Sequence, residues 1–181
     1  MRRVDHPFCT GLVIMKTKIV EMTCTLAELT RREIVYPAGF TAKSLKNSRE
    51  DDLYACYLAA FQGGDSKLFM QQREGEQREF YETLAFEQAR NDSCSSMILK
   101  DEQIVGFTYV LPYGEKNQHI SCMCVHPSFQ RQGLGANMLS HAQSAAALQG
   151  LQSMTLWTEV EMGAYQLYIK HGFKITEEKE L

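Results

Sequence analysis

HISCMCVHPSFQRQGLGANMLSHAQSAAAL, residues 119–148, is the stretch from which the rest of the chain can be read. Its first part, Ile120 to Val125, is an apolar run with the length of a buried strand. His126-Pro127 opens a turn, because proline lacks an N–H and pushes the residue before it out of the helical region. The loop Gln130-Arg131-Gln132-Gly133-Leu134-Gly135 follows, then an Ala/Leu-rich helix to about Gln149 with Gly150 as its stop. Glycines at 133 and 135 remove the Cβ atoms that would keep a backbone from wrapping closely around a ligand. The helix beginning there directs unpaired N–H groups and its positive dipole end into the same space. Such a loop suits a phosphate or pyrophosphate.

Spacing separates the nucleotide-type readings. A dinucleotide fingerprint needs a third glycine three residues after the second, where Met138 stands, and a P-loop needs a Gly-Lys-Ser/Thr that is absent. What remains is Q-x-x-G-x-G after a strand ending in Val-His-Pro, and this segment resembles the acetyl-coenzyme A motif of the GNAT superfamily of N-acetyltransferases. A second segment, Ala164-Tyr165-Gln166-Leu167-Tyr168-Ile169-Lys170-His171-Gly172-Phe173, is similar to the family's A-x-x-L-Y-x-x-x-G-F helix.

Working outward, residues 96–125 read as a three-stranded meander: Ser96 to Lys100, Ile104 to Leu111 and His119 to Val125. Upstream, Phe40 to Leu45 is a strand, and Ser48-Arg49-Glu50-Asp51 has the form of a capping box opening a helix. Phe61 to Asp65 breaks that helix, and a second is expected over Lys67 to Arg90, with Gly75 as a point of division. Downstream come a strand at Met154–Val160, a helix at about Gly163–Lys170 and a strand from Lys174. Together with the resemblance, this order implies an α/β (α+β) GNAT fold: a mixed sheet of six to seven strands flanked by four helices, splayed between the fourth and fifth core strands. Residues 36–181 form that domain, and residues 1–35 an N-terminal extension. In the extension, residues 11–25 have strand character and Leu26 to Ile34 is weakly helical. The chain leaves room for one C-terminal strand where the family has two. The missing strand is expected from residues 11–25 or from a partner subunit, which would make a homodimer.

Composition bounds the function. The 181 residues suit one domain with a full core, and 44% hydrophobic with 23% charged residues is ordinary for a globular protein. A net charge of −3 gives no electrostatic case for nucleic acid or an anionic membrane. No run approaches a membrane span, and the leader-like start is interrupted by Lys16 and Lys18. The six cysteines are scattered, with Cys122-Met-Cys124 lacking a second pair at zinc spacing, so reduced packed thiols, no metal and a cytoplasmic location are expected.

The resemblance implies the site residue by residue. Met123, Cys124 and Val125 would offer backbone to the pantetheine arm of acetyl-CoA as an added strand pairs with a sheet edge. Arg131, Gln132, Gly133, Leu134, Gly135 and Ala136 would wrap the pyrophosphate, and Gln130 would shape the loop. Tyr168 would act as general acid toward the departing thiolate, a task that fits a phenol. Glu159, at the strand end WTEV, would be the general base; His119 and His126 are alternatives, since a neutral imidazole suits pH 7. One departure stands out: relatives carry asparagine seven residues before the helix tyrosine, and here that position is Glu161. The implied activity is acetyl-CoA-dependent transfer of an acetyl group to a primary amine, directly within a ternary complex. A small amine or amino-acid derivative is the expected acceptor. The alternatives are a protein or peptide amine, or a non-catalytic acyl-CoA-binding regulatory module.

Overall fold

The computed structural model describes residues 16–29 and 33–181. Its strands are β1 (Lys18–Thr25), β2 (Phe40–Lys43), β3 (Ser96–Lys100), β4 (Gln103–Pro112), β5 (Asn117–Val125), β6 (Ser153–Glu159) and β7 (Lys174–Glu180). Its helices are α1 (Glu50–Gln62), α2 (Lys67–Gln71), α3 (Glu74–Glu82), α4 (Phe86–Ala89), α5 (Leu134–Leu148) and α6 (Gly163–Lys170). One mixed sheet runs β2-β3-β4-β5-β6-β1-β7.

Alternation along β3 divides the core. Met97 and Leu99 join a cluster with Leu53, Tyr57, Tyr81 and Phe86 of α1, α3 and α4, while Ile98 points the other way, onto Leu134 and Met138 of α5. A bulge in β5 changes this phase. Cys122 faces Tyr109 and Ile120 faces Val110, leaving Ser121 between them unpaired. Cys122 and Cys124 therefore pack on the α1 side, whereas Ile120 packs with Leu139 and Ala142 of α5.

β5 and β6 are parallel and pair only from Asn117–Ile120 to Ser153–Leu156. Beyond that point β5 stays on β4 as far as Val125, and β6 stays on β1 as far as Glu159. The two strands part, as expected between the fourth and fifth core strands, and β5 has no partner on its β6 side from Ser121 onward.

The place left for a second terminal strand is taken by the chain's own β1, antiparallel to both β6 and β7. No partner subunit is needed for that position. The part of the expected strand before residue 16, and Cys9, lie outside the described residues.

Three expectations need correction. The helix expected over Lys67 to Arg90 is three short helices, so the described residues hold six helices where four were expected. The chain leaves helical conformation at Gln72, with ψ 144°, and again at Ala85, whose φ is +58°; Gly75 lies within α3 and divides nothing. Ser48 caps no helix: α1 starts after Arg49, and the Ser48 hydroxyl donates to Leu45 O at 2.6 Å, closing the preceding turn. Of the helical character expected over Leu26 to Ile34, Leu26–Glu28 is a single 3-10 turn, and residues 30–32 lie outside the described residues. The strand expected from Lys174 is β7, whose acidic end Glu177 to Glu180 is exposed on both faces of the sheet edge. Charges on such an edge discourage further strand pairing. Among the described residues no helix is long and apolar enough to cross a membrane.

Candidate functional site

At the end of β5 the chain turns through His126-Pro127, held by His126 N donating to Val105 O at 2.8 Å and by Ser128 N donating to His126 Nδ1 at 3.2 Å. Gln130 reaches back, its Nε2 donating to Val125 O at 3.0 Å, so the glycine loop is tied to the strand it follows. Gly133 is the residue before α5, with φ +81°, a conformation costly for residues with a Cβ. Having no side chain, it cannot cap the helix, and the first-turn amides of Leu134, Gly135 and Ala136 are left facing outward.

Those amides open onto a cavity of about 880 Å³. Met123, Cys124, Val125, Gln130, Arg131, Gly133, Leu134, Gly135 and Ala136 all line it. Gln132, the remaining member of the sequence-derived set, is exposed and outside the lining. The cavity therefore runs from a strand edge without a partner to a helix start without a cap. This combination offers an extended amide-bearing ligand both a backbone ladder and an anion site.

The opposite wall was not found from sequence. It consists of Ala60 and Phe61 of α1, the loop Gly63 to Ser66, and Met162, Gly163 and Leu167 at and in α6. The loop comes close because a Cβ on Gly63 would lie 2.6 Å from Pro127 Cγ, so only glycine lets the end of α1 rest on the His126-Pro127 turn. The Asp65-Ser66 pair before a helix is a recognisable start signal: Ser66 Oγ accepts from Phe69 N at 3.1 Å.

Glu159, like His119 and Tyr168, lies outside the cavity lining; it is 4% exposed and has both carboxylate oxygens engaged. It accepts from the Ser66 hydroxyl, from Lys67 N at 2.8 Å and from Leu68 N at 3.4 Å. This geometry is that of a helix-capping acid, with both oxygens accepting from the start of α2. His119 is half-buried on β5, with Nδ1 2.9 Å from Thr155 Oγ1 and its ring beside Tyr113. Burial lowers its pKa below 6.5, with Glu21 opposing, so the imidazole is neutral at pH 7. In the tautomer whose Nδ1–H donates to Thr155 Oγ1, Nε2 keeps its lone pair. His126, by contrast, serves the turn.

Tyr168 is 6% exposed and packs against Phe173, ring centroids 5.8 Å apart. Burial, then the neighbouring Cys122 and Cys124, raise its pKa above the ordinary tyrosine value, which keeps the phenol protonated. The described cysteines are free and buried. Burial also pushes Cys124 well above 9, and a thiol so disposed is a weak nucleophile. Among the described residues no group of three His, Cys, Asp or Glu could hold a metal ion.

Residues 92–175 match the family model of the acetyltransferase (GNAT) domain. That segment, a little under half of the chain, reads as a GNAT acetyltransferase domain. The match spans β3 to the start of β7 and contains both the glycine loop and α6, whereas β1, β2 and α1 to α4 precede it. Solved structures share the GNAT fold at low identity. A GCN5-related N-acetyltransferase from Sphaerobacter thermophilus is 18% identical with TM-score 0.67, over 91% of this chain and 51% of that one. A GNAT-family acetyltransferase from Colwellia psychrerythraea is 13% identical with TM-score 0.63, over 91% and 54%. A fungal multi-domain β-N-acetylglucosaminidase containing a glucosamine N-acetyltransferase region is 12% identical with TM-score 0.60, over 90% and 20%. The chain thus spans about half the length of the first two and a fifth of the third. No curated protein matches the sequence.

Proposed function

We propose that this protein transfers an acetyl group from acetyl-CoA to a primary amine, directly within a ternary complex. The observation that carries the reading is the continuity of one cavity from the partnerless edge at Met123–Val125 to the uncapped amides of Leu134–Ala136. Pantetheine carries two amides and would add to β5 as a further strand, and the pyrophosphate would sit on the start of α5.

Chemistry needs a neutral amine, stabilisation of a tetrahedral oxyanion and a proton for the departing sulfur. Tyr168, held protonated by burial, suits the last task. For the base, the engagement of Glu159 supports His119 instead: its ring is neutral, oriented by Thr155, and on the α1 side of the sheet with its cross-strand neighbour Leu111. A small amine or amino-acid derivative is the acceptor class we favour. Its contacts would come from the α1–α2 loop and α2 to α3, where Met70 and Phe80 stand exposed.

Isothermal titration with acetyl-CoA and CoA, followed by thioester consumption against a panel of amines, tests this. Binding with turnover is expected. Binding without turnover on any amine would favour a non-catalytic acyl-CoA-binding module, and folded protein that binds neither nucleotide would overturn the reading.

A further inference from the structure

The loop after α1 and the connection after β6 are tied from both sides. From β6, Glu159 accepts from the Ser66 hydroxyl and from the first two amides of α2, Lys67 N at 2.8 Å and Leu68 N at 3.4 Å. From the loop, the Asp65 carboxylate accepts from Gly163 N at 2.8 Å, the first amide of α6. Lys67 and Glu161 form an ion pair across the same junction. Each side therefore caps the helix that begins on the other, and Asp65, Ser66, Met162 and Gly163 are at once the crossing and a wall of the cavity.

α2 has five residues, far too few to persist as a helix unaided. Its first three amides are all satisfied by two side chains, Glu159 and Ser66. A carboxylate as buried as Glu159 must in turn be solvated by such donors, so the contact is obligatory for both partners. The exposed Asp65 contact is weaker by itself, but it fixes the same junction from the other direction.

We propose that Glu159 and Asp65 are positioning residues: a two-way stitch that sets the separation of residues 63–66 from the start of α6 and thereby fixes the wall of the donor cavity. This rests on the cavity being the acetyl-CoA site. It also separates two roles for Glu159. A base would control turnover, whereas a stitch controls donor binding.

Glu159→Gln, Ser66→Ala and Asp65→Asn make the test. Glutamine at 159 would turn an NH2 group toward an amide donor, so the variant loosens the junction rather than merely neutralising it. Expected in each is roughly tenfold or weaker acetyl-CoA binding by titration, about one 1.4 kcal/mol step, with the acidic limb of the kcat pH profile retained. Hydrogen exchange supplies a ligand-independent readout. In Glu159→Gln the Gly163 amide should exchange faster although its own partner is Asp65, and in Asp65→Asn the Lys67 amide should do the same. The proposal is overturned if Glu159→Gln abolishes turnover at unchanged donor KM while Ser66→Ala and Asp65→Asn match the unaltered protein. It is equally overturned if exchange at each end ignores the other. If the exchange coupling appears but unaltered protein binds no acetyl-CoA, the functional reading fails and the stitch stands as a structural tie. Should Glu159→Gln not fold, the other two variants carry the same comparison.

Discussion

In the unit from β5 through the glycine loop to α5, the groups offered to a ligand are backbone amides and side chains contiguous in sequence. In the segment from α2 to α4 the structure is instead held from a distance: Glu159 caps α2, and Tyr81 of α3 bonds to Tyr109 of β4, Oη to Oη at 2.6 Å. The first unit carries its geometry with it, and the second borrows its geometry from the sheet. The family match follows the same line, since it begins at residue 92, after α4. The difference teaches that the glycine-loop half of the cavity can be read from local pattern, while the segment from α2 to α4 is specified by tertiary contacts.

The comparison breaks most decisively at His119. His119→Gln should lower kcat about 100- to 10,000-fold with donor affinity unchanged, and normal turnover would remove it as the base. Because burial lowers its pKa, the acidic limb of kcat should lie below 6.5. The sign for stability is the same: below 6.5 the unfolded chain takes up the proton first, so this group destabilises the fold progressively as pH falls, and contributes nothing above that value. Tyr168→Phe should slow turnover about 100-fold and leave acetyl-CoA titrations as they were.

Gly133→Val tests the glycine-loop half directly. A β-branched residue at φ +81° costs about 1–3 kcal/mol of stability, and acetyl-CoA binding should fall at least roughly tenfold, or about 1.4 kcal/mol. Unimpaired binding would mean that the loop is not the anion site. Tyr81→Phe probes the other half, leaving the buried Tyr109 hydroxyl without its partner, at about 1–3 kcal/mol by denaturant unfolding. Donor affinity should not change; if it did, the two halves would not be separable. The smallest effect is expected at Gly75 in α3, where an added Cβ meets nothing within 4 Å. Gly75→Ala should raise stability by about 0.5–1 kcal/mol, visible as a higher unfolding midpoint with unchanged catalysis.

The legible parts of the site share a physical cause. Gly133, the turn at His126-Pro127 and the strand before it obey constraints acting within a few residues, so their conformation could be inferred before any contact was known. The break of the expected Lys67–Arg90 helix was not legible, because the apolar spacing there is satisfied by three short helices wrapped on Tyr57, Phe107 and Tyr109 as well as by one straight one. The contacts of Glu159 were not legible for a related reason. An acid at a strand end looks the same whether it meets solvent, a substrate or a helix start, and the start it meets is 92 residues away at Lys67.

By itself the sequence determined the places of most strands, the helix after the glycine loop, and a loop backbone suited to turning into that helix. These are consequences of φ preferences, hydrophobic period and the chemistry of unpaired amides. Only the tertiary structure decided that β1 would stand between β6 and β7, that Glu159 would cap α2, and that His119 would be kept neutral beside Thr155. Each of those outcomes depends on which distant groups share a desolvated space, and that is settled by packing.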